Sequence, residues 1–253
     1  MTPRPDSLLD RHRADVAVCV AFVIVWTVFD RLAALLGSTR GEEGAVVCIV
    51  VLALLVGFER LRGHPPKDAL RSLGLRSTRT RALCLALALS GALLAFFPAY
   101  ALATGTKIRW HAAWPALAAG MWLQGGVAEE ALFRGLVFRH FRKNREFWPA
   151  AWLAAIPFTL VHLSLFLSLD AVVAASALAL SLAISFPLAW LFDRSGGSIW
   201  PGSLLHAAVQ APIKLAVIDS ADAFAALSIA WMMLCATLPW LAFLLRGHGR
   251  HSA

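Results

Sequence analysis

The chain is poor in the residues that staple or solvate a small soluble domain. Its four cysteines, Cys19, Cys48, Cys84 and Cys235, fall one each in four apolar stretches with no paired spacing. That excludes a disulfide framework and a thiolate metal site, and leaves them as small packing residues. Charge is scarce as well, with Asp, Glu, Lys and Arg making up 15% of the chain against 59% hydrophobic residues. A mean hydropathy of +0.70 fits a polytopic membrane protein and no ordinary soluble domain. No H-E-x-x-H motif occurs, which removes the commonest zincin arrangement. A G-x-S-G motif is absent too, and the only Asp well inside an apolar stretch is Asp30, so serine and aspartate intramembrane proteases fit poorly. No internal repeat or low-complexity linker is evident, and Gly249–Ala253 carries no lipidation signal.

What remains is eight apolar stretches, at Val16–Phe29, Gly44–Phe58, Ala82–Thr104, Ala113–His140, Phe147–Leu169, Ala171–Phe192, Ile199–Ile218 and Ala223–Leu245. The first has no small-x-small cleavage site, so it is expected to stay as a helix and not to leave as a signal peptide. The longest polar segment, Glu59 to Arg81, is expected to be a cytoplasmic loop with a short helix lying on anionic headgroups. The net charge of +8 points to orientation and not to nucleic acid, because Lys and Arg sit almost entirely between the apolar runs. With the N-terminus inside, seventeen of them face the cytoplasm and three (Arg40, Lys107 and Arg109) the other side. The expectation is an all-α bundle of about eight transmembrane helices, N-in and C-in, forming one membrane domain over 1–253 with its core at 113–218. Trp110, Trp114, Trp148, Trp200 and Trp240 lie near predicted span ends, as an interfacial belt requires.

Within the fourth stretch, Gly125-Gly126-Val127-Ala128-Glu129-Glu130-Ala131-Leu132-Phe133-Arg134-Gly135 sets three charges at bilayer depth. Each costs roughly 2.5–3.5 kcal/mol on insertion scales, so such groups face a bundle interior or a wet cavity. On a helix Glu130 and Arg134 share a face while Glu129 lies 100° round, so one carboxylate is expected to be paired and the other free for chemistry. Further polar residues at depth are His162 in the fifth stretch, one helical turn after Phe158, and His206, Gln210 and Lys214 on one face of the seventh. At ~1.5 Å per residue, Glu129, His162 and His206 lie roughly 11 to 22 Å from the cytoplasmic ends of their spans, close enough in depth to share one site.

A desolvated carboxylate beside an imidazole is suited to take a proton from water. A second helix offering an imidazole N–H and an amide N–H could stabilise the oxyanion formed when that water attacks a peptide carbonyl. Peptide hydrolysis in the membrane plane follows as the leading expectation. Two His and one Glu also match a catalytic zinc ligand set, in which case Glu129, His162 and His206 would hold the metal. The sequence leaves these two open and assigns no other cofactor.

Glu129-Glu130-x-x-x-Arg134, Phe158-x-x-x-His162, and Ser198-Ile199-Trp200-Pro201 leading to His206 resemble, in order and spacing, the three motifs of the CAAX protease and bacteriocin-processing enzyme family, also called Abi. That resemblance implies an eight-helix, glutamate-dependent intramembrane endopeptidase. Glu129 would activate water, His162 would orient it, and His206 with the residue four later would form the oxyanion site. Glu130 and Arg134 would brace the site as an ion pair. The family usually has Asn four residues after the last His, and here the residue is Gln210, one methylene longer.

The expected function is therefore cleavage of a membrane-associated or lipidated peptide, in a multi-pass protein of a bacterial inner membrane. Its partners are expected to be that substrate and membrane lipid, without nucleic acid. Two readings compete. A non-catalytic membrane partner or immunity-type protein of the same fold is favoured by Gln210. A proton-coupled transporter is favoured by buried Glu and His, but no paired, interrupted helices mark two related halves.

Overall fold

The structure, a computed structural model, describes residues 8–168 and 170–244. It is helical almost throughout. In chain order it comprises α1 (Leu8–Leu35), α2 (Gly44–Leu61), α3 (Pro66–Ser72), α4 (Thr80–Thr104), β1 (Arg109–Trp110), α5 (Trp114–Met121), α6 (Arg139–Arg142), α7 (Phe147–Leu160), α8 (Ala171–Arg194), α9 (Trp200–Leu215), β2 (Ala216–Val217) and α10 (Ala221–Thr237). Between α5 and α6 the chain runs as two π-helical segments, Trp122–Ala128 and Ala131–Phe138, and 3₁₀ turns extend α7 to Leu167 and α10 to Leu244.

Helix ends follow local chemistry. Asp170 accepts from the Val172 amide to start α8, Ser220 accepts from the Ala223 amide to start α10, and Gly105 closes α4 in the left-handed conformation at φ 71°. α5 crosses the start of α2 so tightly that a Cβ on Gly120 would overlap the Gly41 carbonyl, which is why glycine stands there. The antiparallel ladder pairs Arg109 with Val217 and Trp110 with Ala216, and the Arg109 guanidinium pairs with the Asp219 carboxylate beside it.

Six helices of the described residues are long and apolar enough to cross a membrane, at His12–Leu35, Gly44–Leu61, Thr80–Thr104, Phe147–Leu167, Ala171–Arg194 and Ala221–Leu244. The two expected spans outside this set are those carrying Glu129 and His206. One is interrupted by π segments and holds four charged residues, Glu129, Glu130, Arg134 and Arg139; the other, α9, has only 16 residues. They are the inner pair. Residues Ala131 to Phe138 are all buried, as are ten of the residues of α9, while the six long helices surround them and turn large apolar side chains outward.

The Glu59–Arg81 segment is mostly exposed but anchored to the bundle at a few points. Its short helix α3 exists, but Ala69 and the following Leu73 are fully buried. Glu59 itself is 0% exposed. Its carboxylate accepts from Arg139 Nη2 at 2.7 Å and Ser72 Oγ at 3.1 Å, with Arg62 and His64 each 3.4 Å away.

Candidate active site

The site is assembled by the π segments, α7, α8 and α9. A π turn bonds i to i+5 and is wider than an α turn, a feature found mostly at functional sites. Here it flanks both carboxylates, with Glu129 and Glu130 lying between the two segments.

Glu130 is fully buried and works through one oxygen. Its Oε1 accepts from Arg134 Nη1 at 3.0 Å and stands 3.0 Å from His206 Nδ1. A carboxylate paired with a guanidinium can only accept, so Nδ1 of His206 carries the proton and Nε2 is turned to the opposite side. There Nε2 lies 3.9 Å from Glu129 Oε2, too long for a direct hydrogen bond. The second oxygen of Glu130, Oε2, has no hydrogen-bond partner and rests against Gly202, where a Cβ would come within 2.8 Å of it.

Arg134 is 2% exposed. Beyond Glu130 it donates to the Ser185 carbonyl of α8 at 3.4 Å, and its guanidinium stacks 4.4 Å above the Phe158 ring. Phe158 is the hub of the site, with ring centroids 4.8 Å from Phe133, 5.9 Å from His206 and 5.4 Å from His162. His162 sits in the 3₁₀ turns after Pro157. Its Nδ1–H donates to the Phe158 carbonyl at 2.8 Å, which leaves Nε2 as a free acceptor.

The structure thus brings Glu129, Glu130, Arg134, Phe158 and His206 into contact, and holds His162 one ring away. It adds the Gln210 amide, whose Nε2 is buried without a partner and fits against the bare backbone of Gly125. Lys214, on the same face of α9, makes no hydrogen bond or ion pair among the described residues. Its ammonium is within electrostatic reach of Glu129 and Glu42. Among the described residues no three His, Cys, Asp or Glu side chains converge closely enough to hold a metal ion, so Glu129, His162 and His206 as placed do not form a zinc ligand set.

Several supporting groups were not legible in the sequence. Ser203 accepts from Trp122 Nε1 at 3.2 Å and joins α9 to the first π segment. Ser38, in the α1–α2 loop, donates to Gln124 Oε1 at 2.7 Å, while Gln124 Nε2 donates back to the Ser38 carbonyl at 3.2 Å. The signal for these pairs is long-range, since 81 and 86 residues separate the partners.

The fold and site define a multi-pass helical membrane protein with a buried glutamate–histidine centre. Residues 110–211 match the family model for type II CAAX prenyl endopeptidase Rce1-like, within the CAAX protease family that the three motifs resemble. No curated protein matches the chain.

Proposed function

We propose that this protein is a glutamate-dependent intramembrane endopeptidase that cleaves a membrane-associated or lipidated peptide. The observation that carries the proposal is the gap between Glu129 Oε2 and His206 Nε2, 3.9 Å across, which is the spacing of two groups that share a small substrate atom and not each other.

Glu129 takes a proton from water as the resulting hydroxide attacks the scissile carbonyl. The Gln210 amide N–H, buried and without a partner, donates to the oxyanion. His206, its Nδ1–H held by Glu130, turns Nε2 toward the same reacting centre. His162, with Nε2 free to accept, orients the water. On collapse, Glu129 returns the proton to the leaving amine, so atoms and charge balance. Glu130 and Arg134 hold the imidazole in place and take no proton. The non-catalytic reading, which rests on Gln210 replacing the usual Asn, loses weight because this longer amide is left available instead of being tied to a neighbour. The Ala, Leu and Arg bias of the chain supports a bacterial inner membrane as its location.

The test is proteomics of membrane peptides from cells expressing the parent or Glu129→Gln, with membrane insertion checked in both. A new peptide terminus that vanishes in the variant supports the proposal and names substrate and bond together. Equal processing by the two would remove Glu129 from the reaction.

A further inference from the structure

At the end of α8, the end that the Lys and Arg count places toward the cytoplasm, stands a charge that neither the hydrolytic steps nor the packing accounts for. Four arginines lie over aromatic rings: Arg62 over Phe58, Arg134 over Phe158, Arg145 over Phe141 and Arg194 over Trp190. The first three also meet a carboxylate, Glu59 at 3.4 Å, Glu130 at 3.0 Å and Asp15 at 3.9 Å. Arg194 is the most closely stacked, 3.9 Å from the ring centroid, yet it forms no ion pair among the described residues. The adjacent carboxylate, Asp193, is taken by Arg142 Nε at 3.1 Å. Arg194 Nε is buried without a hydrogen-bond partner, and so is the indole N–H of the Trp190 on which it lies. A second guanidinium stands at the same helix end: Arg79, exposed at the start of α4, donates Nη1 to the Arg194 carbonyl at 3.5 Å. The negative end of the α8 dipole favours a cation there, but both guanidiniums keep unused donors.

Burying a guanidinium N–H without an acceptor costs free energy that stacking on an indole recovers only in part. The stacking has a second effect. A guanidinium laid flat on a ring keeps its edge free, and that edge matches a pair of phosphate oxygens. The ring is itself held in a column: Trp190 stacks on Phe243 at 4.8 Å, and Phe243 stacks in turn on Trp148 at 5.5 Å and on Trp240 at 5.3 Å. Trp148 and Trp240 are 49% and 40% exposed, and Trp152, one turn further along α7, is 52% exposed. Their outer faces form an apolar strip that leads from the charged end of α8 into the membrane. Tryptophans and cations at one level mark the headgroup region of a bilayer, where basic pockets between helices take lipid phosphates.

We propose that Arg194, laid on Trp190 and joined by Arg79, binds the phosphate of an anionic glycerophospholipid whose acyl chain lies along Trp148 and Trp240. A soluble anion would leave the aromatic strip unused. A zwitterionic lipid would bring a cation toward two unpaired guanidiniums, so a headgroup of net negative charge is the better match. The inference is independent of the protease reading.

The test uses purified protein in detergent micelles, titrated with dibrominated phosphatidylglycerol and in parallel with dibrominated phosphatidylcholine, which carries the same chains on a zwitterionic headgroup. Bromine on the chain quenches Trp148 and Trp240, so binding is read as saturable loss of fluorescence. Phosphatidylglycerol is expected to bind about tenfold tighter, the size of one charge-assisted hydrogen bond. Arg194→Gln should abolish that preference and Arg79→Gln should reduce it. Arg60→Gln, which removes an exposed arginine near the end of α2, should leave it intact. Equal affinities for the two lipids in the parent, or an undiminished preference in Arg194→Gln or in Arg79→Gln, overturn the proposal. A loss as large in Arg60→Gln overturns it as well, because any basic surface would then serve. Displacement of the bound phosphatidylglycerol by inorganic phosphate would assign the site to a soluble phosphate instead of a lipid. Because Arg79 is exposed, its variant keeps the test open if Arg194→Gln fails to fold. Glu129→Gln should bind phosphatidylglycerol as the parent does, so this result is read apart from the fate of the proteolytic reading.

Discussion

Glu130, the Ser185 carbonyl and the face of Phe158 all meet one buried guanidinium, that of Arg134. Removing one partner of a buried ion pair costs about 3–5 kcal/mol, because the other charge is left without compensation. Arg134→Ala is accordingly expected to lower thermal stability in detergent sharply, whereas Glu129→Gln, whose carboxylate stands 3.9 Å from His206 Nε2 without a direct hydrogen bond to it, leaves the melting temperature almost unchanged. Gln210→Asn shortens the amide by one methylene without removing its N–H. Turnover of a substrate identified by the proteomic comparison should be kept or raised, while Gln210→Leu should lose about 10²–10³, the usual effect of deleting one oxyanion donor. At this scale much was readable in advance. The pairing of Glu130 with Arg134 follows from their spacing of four, and the freedom of Glu129 from its angular offset. The grip of Glu130 on His206 was not readable, since 76 residues lie between them and no local period reports it.

Two glycines in the π-helical region separate activity from stability. At Gly125 a Cβ would overlap the end of the Gln210 side chain, a group that can swing aside. At Gly135 it would overlap the Leu73 backbone carbonyl, which cannot. Gly125→Ala is therefore expected to fold normally and to lose turnover much as Gln210→Leu does. Gly135→Ala should instead destabilise by about 1–3 kcal/mol through overpacking, seen as a lower melting temperature with kcat per folded molecule preserved. Apolar runs located most of the long helices to within a few residues, though the first, expected at Val16–Phe29, extends over Leu8–Leu35 and runs through Asp30 and Arg31; they could not announce the π turns, which leave no compositional mark. Nor could they place Glu59: the chain after Phe58 looks like the start of a polar loop, yet α2 continues to Leu61 and the carboxylate turns inward to Arg139, 80 residues away.

For the whole molecule, six of the described helices are long and apolar enough to cross a membrane, and they surround an inner pair of segments that is shorter, more polar and irregular. Hydropathy alone finds the wall better than what it encloses, because side chains facing other helices are free of the demand to be greasy. The orientation inferred from Lys and Arg makes a direct prediction. Single cysteines in a cysteine-free background at Lys107 should react with a membrane-impermeant maleimide added outside intact cells, and at Lys67 only after lysis; the reverse pattern would invert the topology. The two-residue ladder between β1 and β2 carries a further consequence. Through β1 it is joined to α5 and the π segments bearing Glu129, and through β2 to the end of α9 bearing His206, with the His111 amide also donating to the Leu215 carbonyl at 2.9 Å. The two jaws of the reactive cleft thus share a hinge pin at one end, so a guest that wedges them apart there must open them like a book and not slide one along the other.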